Sequence, residues 1–442
     1  MPSLLLFSFL FVSSFTFAQQ EVRKYYDPQK KHIEEIYFVS ANDPEQYNGK
    51  YIRYYENGNP MMEGQFEQGK KSGVFTEYHS NGKPARQLIY VNGLRHGPVK
   101  IFNEEGLPFQ KAYYQNDKLT DSVQLFFDNG TIKRESYFVK GKPEGLIKEY
   151  YPNGKIKKEI SYQKGKPNGI TRTFFENGKI ESEANYVDGV LSGFYKTYFD
   201  NGQLETASTM DAGSKHGQFK NYDREGNLIL EGSFTNGQLQ GENVAYYANG
   251  AVRHRYQYKE GKKTGTNFDY FPDGKIKIRD QWAANGIDAT IQEFNESGDL
   301  LAEKRFRNEK PHGLWITYHL NSKTPKTKAT YSDGKLNGIR YTYYPSGKLK
   351  SEETLKGNQL TGPYKTYFEN GQAENIGEYR TNRKHGLFTL FYENGKTAEA
   401  GQYVADKKHG AWNQYDEDGK LLKTTIFKAG TVVEVKDTST QK

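Results

Sequence analysis

Short apolar-rich segments alternate with turn residues along this chain, and the alternation recurs at a fixed period. The phrase YYENG at Tyr54–Gly58 returns as YHSNG, FFDNG, YYPNG, FFENG, YFDNG, YYANG, YFPDG, YYPSG, YFENG and FYENG. Its closing glycine falls at Gly58, Gly82, Gly106 and onward to Gly419, with 24 residues between successive copies. Ser322 replaces that glycine once, and the step from Ser322 to Gly347 is 25 residues because NSKTPKTKATY carries one extra residue. A second glycine series, Gly49, Gly73, Gly97 and onward, keeps step, with Asp121 and Ala289 in its two gaps. Four residues before it stands mostly Gly, Asn or Asp, the residues that accept a left-handed backbone. Alternating strands with two turns per period predict an all-β fold: an elongated, twisted antiparallel sheet of about sixteen tandem 24-residue β-hairpins.

The first turn has a readable geometry. Pro152, Pro272 and Pro345 occupy its first corner, where a type I turn already needs the proline φ. The glycine two residues on then takes a left-handed bulge position, which makes a three-residue type I plus G1 loop. That loop pairs the residue four before the glycine with the residue two after it. The first of these is aromatic in every copy: Tyr54, Tyr78, Phe102, Phe126, Tyr150, Phe174, Tyr198, Tyr222, Tyr246, Tyr270, Phe294, Tyr318, Tyr343, Tyr367, Phe391 and Tyr415. The second is often aliphatic, as in Ile132, Ile156, Leu204 and Val252, a favourable cross-strand partner. Six residues further on comes another aromatic row, with Phe66, Tyr90, Tyr114 and Phe138 among its members. These rows are expected to form one continuous core face.

Next to the invariant row lies a patchier one, three before the glycine. Its members Phe127, Tyr151, Phe175, Phe199, Tyr344, Phe368 and Tyr392 are the candidate binding face. Strand alternation puts them opposite the invariant aromatics, together with Phe75, Ile147, Tyr195, Phe219, Trp315, Tyr364, Phe388 and Trp412, which stand seven before the glycine. A single sheet layer leaves such a strip in water unless rolling or long charged side chains cover it.

Composition narrows the chemistry. Hydrophobic residues are 35% of the chain, yet 35 Tyr and 27 Phe accompany 45 Gly, which suits strands and turns better than one large core. There is no cysteine, so disulfides, thiolate catalysis and cysteine zinc sites are excluded. The net charge of +8 is dispersed without a basic block, which gives no support to nucleic-acid binding. Residues 1–18 read as a signal peptide, with an apolar run from Leu4 to Val12 and small residues Thr16 and Ala18 before Gln19. Residues 19–48 are expected to form an N-terminal capping unit, 49–427 the repeats, and 428–442 the last strand and a polar tail.

The unit GLIKEYYPNGKIKKEISYQKGKPNG, Gly145–Gly169, resembles the MORN-repeat variant. That resemblance implies a sheet of hairpins and a role in scaffolding and protein contact. Bacterial members of the variant group carry a YwqK-like antitoxin label, which fits an exported chain poorly.

Catalytic and metal constellations do not emerge. His96, His216, His312, His385 and His409 share one repeat position, so they are a unit apart, about 10 Å, too far to share a zinc ion. Glu135, Glu159 and Glu183 form a row five after the turn glycine, read as a solvated face opposing nearby lysines. No catalytic, cofactor or metal site is assigned. The expected function is an exported, non-enzymatic scaffold for protein partners at the cell envelope, in the periplasm, outer envelope or extracellular space. The alternatives are a glycan or lipid surface binder using the aromatic ladders, and an antitoxin-like partner of a toxin.

Overall fold

A computed structural model describes residues 19–437; the expected signal peptide at residues 1–18 and the last five residues of the expected polar tail lie outside them. The described residues form 41 antiparallel β-strands and no helix. The chain divides into two units, residues 1–214 and 215–442.

In the first unit, strand Gln19–Tyr25 pairs with Ile33–Ser40, which pairs with Asp43–Tyr54. Asp27 closes the loop between the first two strands by accepting the Lys31 and His32 amides. The hairpin repeats follow, through Leu204–Asp211. In the second unit the same pattern runs from Ser214–Tyr222 to a last pair, Leu421–Lys428 and Thr431–Asp437.

Both turns repeat faithfully. In the first, the Gly154 amide donates to Tyr151 O and the Tyr151 amide to Lys155 O, and Gly154 sits at φ 82°, a type I turn closed by a G1 bulge. The invariant aromatic pairs with the residue two after the glycine, from Tyr54↔Pro60 through Tyr150↔Ile156 to Tyr415↔Leu421, and at Ser322, with its one extra residue, Tyr318 pairs with Pro325. Where Ser322 replaces glycine, the left-handed residue moves to Asn321, φ 55°, and the extra residue widens the loop. The second turn places two consecutive residues at positive φ, such as Gln68 and Gly69 or Asp188 and Gly189. Two left-handed residues define a type I′ hairpin, whose twist matches the flanking strands. The glycine of the second series then forms a bulge, as at Gly169, φ 98°. Asn116, Asp117 and Asp121 adopt these same left-handed angles, so that irregular sequence leaves the geometry intact.

The core face differs from expectation. Each hairpin has a register shift just before the invariant aromatic: Glu149↔Lys158 is followed by Tyr150↔Ile156. One residue is bulged out, and a bulge turns every later side chain to the other face. The invariant row and the second aromatic row therefore lie on opposite faces. The core is built by the position seven before the glycine, where Phe75, Ile147, Asn267, Phe388 and Trp412 are at most 1% exposed. Each of these bulky side chains pairs across the hairpin with the residue six after the glycine, commonly small: Val99↔Ala112, Val123↔Ser136, Phe219↔Gly232, Phe388↔Gly401.

Candidate functional site

The core face is an interdigitated aromatic ladder. The residue eight after one glycine meets the residue seven before the next, edge to face. In the second unit Tyr364, Tyr379, Phe388, Tyr403 and Trp412 follow one another at centroid distances of 5.1, 5.8, 5.1 and 4.9 Å. In the first unit Phe66, Phe75 and Tyr90 do the same at 5.5 and 5.3 Å. Edge-to-face geometry sets the positive ring edge against the negative face. The ladder has room because the residues beneath are small: a Cβ on Gly64, Gly377 or Gly401 would enter the ring of Phe75, Phe388 or Trp412. A basic residue just after the second turn lies over the rings, with Lys71 Nζ 4.7 Å from Phe75, Lys384 Nζ 5.4 Å from Phe388 and Lys408 Nζ 3.8 Å from Trp412. Ring neighbours and lysine stems thus cover this face, and no second layer is needed.

The sequence-derived binding row does not form an open strip. Phe127, Tyr151, Phe175, Phe199, Tyr344, Phe368 and Tyr392 are the first residues of the turns and are half-buried. The tyrosine hydroxyls are committed: Tyr151 donates to Phe174 O, Tyr344 to Tyr367 O and Tyr392 to Tyr415 O, each at 2.7–2.8 Å in the next hairpin. His79 and His319 replace tyrosine and reach the equivalent carbonyls through Nε2. Lysine lies over several of the rings, 5.6 Å from Phe127 and from Tyr151. In several turns an asparagine adds a second strut, as at Asn81, Asn177 and Asn370. Asn177 accepts the Lys179 amide within its own turn and donates to Asp200 O in the next. The turn corners are therefore clamps between repeats.

The invariant row shares the other face with the glutamate row. Tyr150, Tyr198 and Tyr246 donate to Glu135, Glu183 and Glu231 of the preceding hairpin at 2.6–2.9 Å. Arg172 reaches Glu183 at 2.8 Å and Lys220 reaches Glu231 at 3.3 Å. The Arg172 hydrogen bond, together with the Tyr198 hydroxyl, holds the Glu183 carboxyl below its ordinary range. Burial, and then the hydrogen bond to glutamate, pushes Tyr150, Tyr198 and Tyr246 up to about 12. Glu159 has only a loose ion pair, 3.9 Å from Lys148. This row is a set of inter-repeat braces more than a solvated face.

What remains free is the half of this second face nearer the second turn. In the first unit it presents Val74, Val91, Leu94, Tyr113, Tyr137, Val139, Leu146, Ile170, Val187 and Val190, each 37–56% exposed. They occupy equivalent places in successive hairpins, the strand positions beside Gly73, Gly145 and Gly169 and the residues flanking the type I′ turns. Cross-strand pairs such as Val74↔Ile89, Pro98↔Tyr113, Val91↔Leu94 and Val187↔Val190 concentrate the apolar surface. Sequence reasoning passed over this strip because each member is a lone aliphatic between polar neighbours. Its signal was positional, the same strand offset holding Val, Leu, Ile or Phe in Val74, Leu146, Ile170 and Phe194.

Among the described residues no three His, Asp or Glu side chains stand close enough to hold a metal ion. The histidines before the second glycine instead border the turns, as where His96 Nδ1 lies 3.2 Å from Asn116 Oδ1. No helix among the described residues is long and apolar enough to cross a membrane.

An open sheet of tandem hairpins, tied together by turn-corner clamps and a shared aromatic ladder, defines a repeat scaffold of the kind used for protein contact. The sequence profile of the MORN repeat variant matches nine segments of it, residues 47–68, 71–92, 143–164, 167–188, 215–236, 336–356, 360–380, 384–405 and 408–429. The chain belongs to the MORN-repeat-variant family. No curated protein matches it. Among solved structures, it is similar to TcdB2-TccC3-TEV at 12% identity, covering 100% of this chain and 27% of that one with a TM-score of 0.14. It is also similar to the Photorhabdus luminescens Tc holotoxin pore at 12% identity, covering 95% and 24% with a TM-score of 0.15. The chain spans about a quarter of the length of those proteins, and at such scores the likeness carries no argument.

Proposed function

We propose that this chain is an exported, non-enzymatic scaffold that seats a protein partner along the open apolar strip of its first unit. The observation that carries the reading is the strip itself, repeated hairpin after hairpin from Val74 to Val190. Contiguous apolar surface bordered by polar groups is the usual mark of an interaction site. Its border is mixed: Lys148 lies beside Glu159 and Arg172 beside Glu183, while Lys118, Lys142 and Lys166 flank the type I′ turns with no ion pair among the described residues. A contiguous apolar strip with a polar, charged rim suits another protein surface. The aromatic rings and the best-placed carboxylates are already engaged in holding repeats together, which favours a binding role over a catalytic one. The apolar leader at residues 1–18 supports export, and with it a partner in the cell envelope.

The test is a paired capture and fractionation experiment. The full chain is expressed in its own host with and without Leu146→Glu and Val187→Glu, crosslinked in intact cells and analysed by mass spectrometry. One partner recovered with the native chain and lost with the double variant, from an envelope fraction containing a chain that starts near Gln19, is the expected result. Equal recovery by both chains refutes the docking strip, and a cytoplasmic chain retaining residues 1–18 refutes export.

A further inference from the structure

The aromatic ladder of the second unit is interrupted where the position seven before the glycine carries no ring, at Asn243, Asn267, Ile291 and Arg340, and beside Ile291 the interruption opens a cavity. In regular hairpins a ring seven before the glycine sits between two rings of the eight-after row. In the hairpins closed by Gly274 and Gly298 that position holds Asn267 and Ile291. The rings of Tyr258, Trp282 and Phe306 therefore lose their intervening partners. The turn between strands Ile276–Trp282 and Asp288–Phe294 also departs from the rest. Ala289 stands in the glycine place, the two strands pair from Ile278↔Glu293 to Trp282↔Ala289 without a bulge, and Ala283–Asp288 forms a wider loop. The place of the covering lysine is taken by Ile287, which is exposed. In the hairpin closed by Gly298, ring and cation are thus missing together.

The result is a cavity of about 610 Å³ whose walls include Tyr258, Lys263, Trp282, Ala289, Ile291 and Phe306. That volume suits a small organic ligand. Its polar edge carries two ammonium groups, Lys262 and Lys263, against the single carboxylate of Glu309. Lys263 is 3.4 Å from the buried Asp280 carboxylate, whose other oxygen has no partner, while Lys262 makes no ion pair among the described residues.

We propose that this cavity takes an aromatic ring bearing a carboxylate. The ring replaces the missing rung between Trp282 and Phe306, and the carboxylate meets Lys262. The shared chemistry is available from a free aromatic acid or from an aromatic side chain flanked by acidic residues in a partner. The site lies in the other unit from the apolar strip, so it stands or falls independently of that reading.

The test uses the full mature chain and NMR of its three tryptophan indoles, Trp282, Trp315 and Trp412. Phenylacetate, phenethylamine and the capped peptide acetyl-Asp-Phe-Asp-amide are titrated separately. The expected result is saturable binding of phenylacetate that moves one indole signal and leaves two in place, with phenethylamine at least tenfold weaker. Ile291→Phe, which rebuilds the rung, should reduce affinity at least tenfold, and Lys262→Met at least threefold. Ala289→Leu fills the same space and keeps the test decisive should the Ile291 variant fail to fold. A peptide tenfold tighter than phenylacetate identifies a partner side chain as the source; phenylacetate equal or tighter identifies a free acid. No saturable binding, equal binding of phenethylamine, or cavity-filling variants that bind as the native chain does would each overturn the proposal.

Discussion

The aromatic ladder makes a quantitative prediction at Phe388 and Gly377. Phe388 is 1% exposed, lies against Tyr379 and Tyr403, and its ring occupies the volume where a Gly377 side chain would begin. Phe388→Ala empties that volume, which costs about 3–5 kcal/mol. Gly377→Ala in the native background forces a methyl group against the ring, which costs about 1–3 kcal/mol. In the Phe388→Ala background the obstructing ring is gone. Gly377 has ordinary strand angles, so alanine there should be neutral or stabilising by about 0.5 kcal/mol. The two changes should therefore be non-additive by about 1–3 kcal/mol, with the sign of the glycine substitution reversed. Hydrogen exchange of the segment 373–404 in the full chain reads this locally, which matters because repeat arrays need not unfold in one step. Equal cost of Gly377→Ala in both backgrounds would refute the picture of a ring seated on glycine.

Three further outcomes follow from the clamps and turns. Tyr392→Phe removes the hydroxyl bound to Tyr415 O and should lower local stability by about 0.5–1.5 kcal/mol, measured as faster exchange around Tyr415. Thr381 is a β-branched residue at φ 53°, so Thr381→Gly should stabilise by about 1 kcal/mol in a thermal or urea melt, whereas a loss would mean the threonine is engaged elsewhere. The pH response has two limbs. Tyr150, Tyr198 and Tyr246 are raised from 10.0 to about 12, so their contribution is complete below pH 10 and lost as pH rises toward 12. Glu183 is lowered from 4.5, so its contribution is present above that pH and lost as pH falls through the depressed value. Replacing the three tyrosines with Phe should flatten the alkaline limb of stability, and Glu183→Gln the acid limb; unchanged profiles would contradict the brace geometry.

Much of the backbone was legible in the amino-acid order because turns are written in local residues. Pro152 and Gly154 specify a type I plus G1 loop by themselves, and that loop fixes the pairing of Tyr150 with Ile156. The faces were less legible. The one-residue bulge before Tyr150 reverses side-chain direction, and a sequence read in steps of two carries no mark of it. Hence the row containing Phe66 and Tyr90 falls with Phe75, away from Tyr54. A volume argument would have corrected this, since Gly64, Gly377 and Gly401 are small where a neighbouring ring is large. The turn-corner aromatics misled for a related reason: Tyr151 and Tyr392 look like a surface strip in one dimension, but their hydroxyls reach carbonyls 23 residues away. The break at Ala289 was visible as a missing glycine, while the cavity it leaves depends on Asn267 and Ile291 falling beside it.

The two faces of the sheet divide the labour, one a closed aromatic ladder and the other carrying an open apolar strip. Hydroxyl-radical footprinting of the chain from Gln19 onward, free and bound to a crosslinked partner, tests this most directly. Phe75, Phe388 and Trp412 should be unreactive in both states, and Val74, Leu146 and Val187 reactive in the free chain and protected in the complex. Protection confined to Tyr151, Tyr344 and Tyr392, with the strip unchanged, would contradict that division.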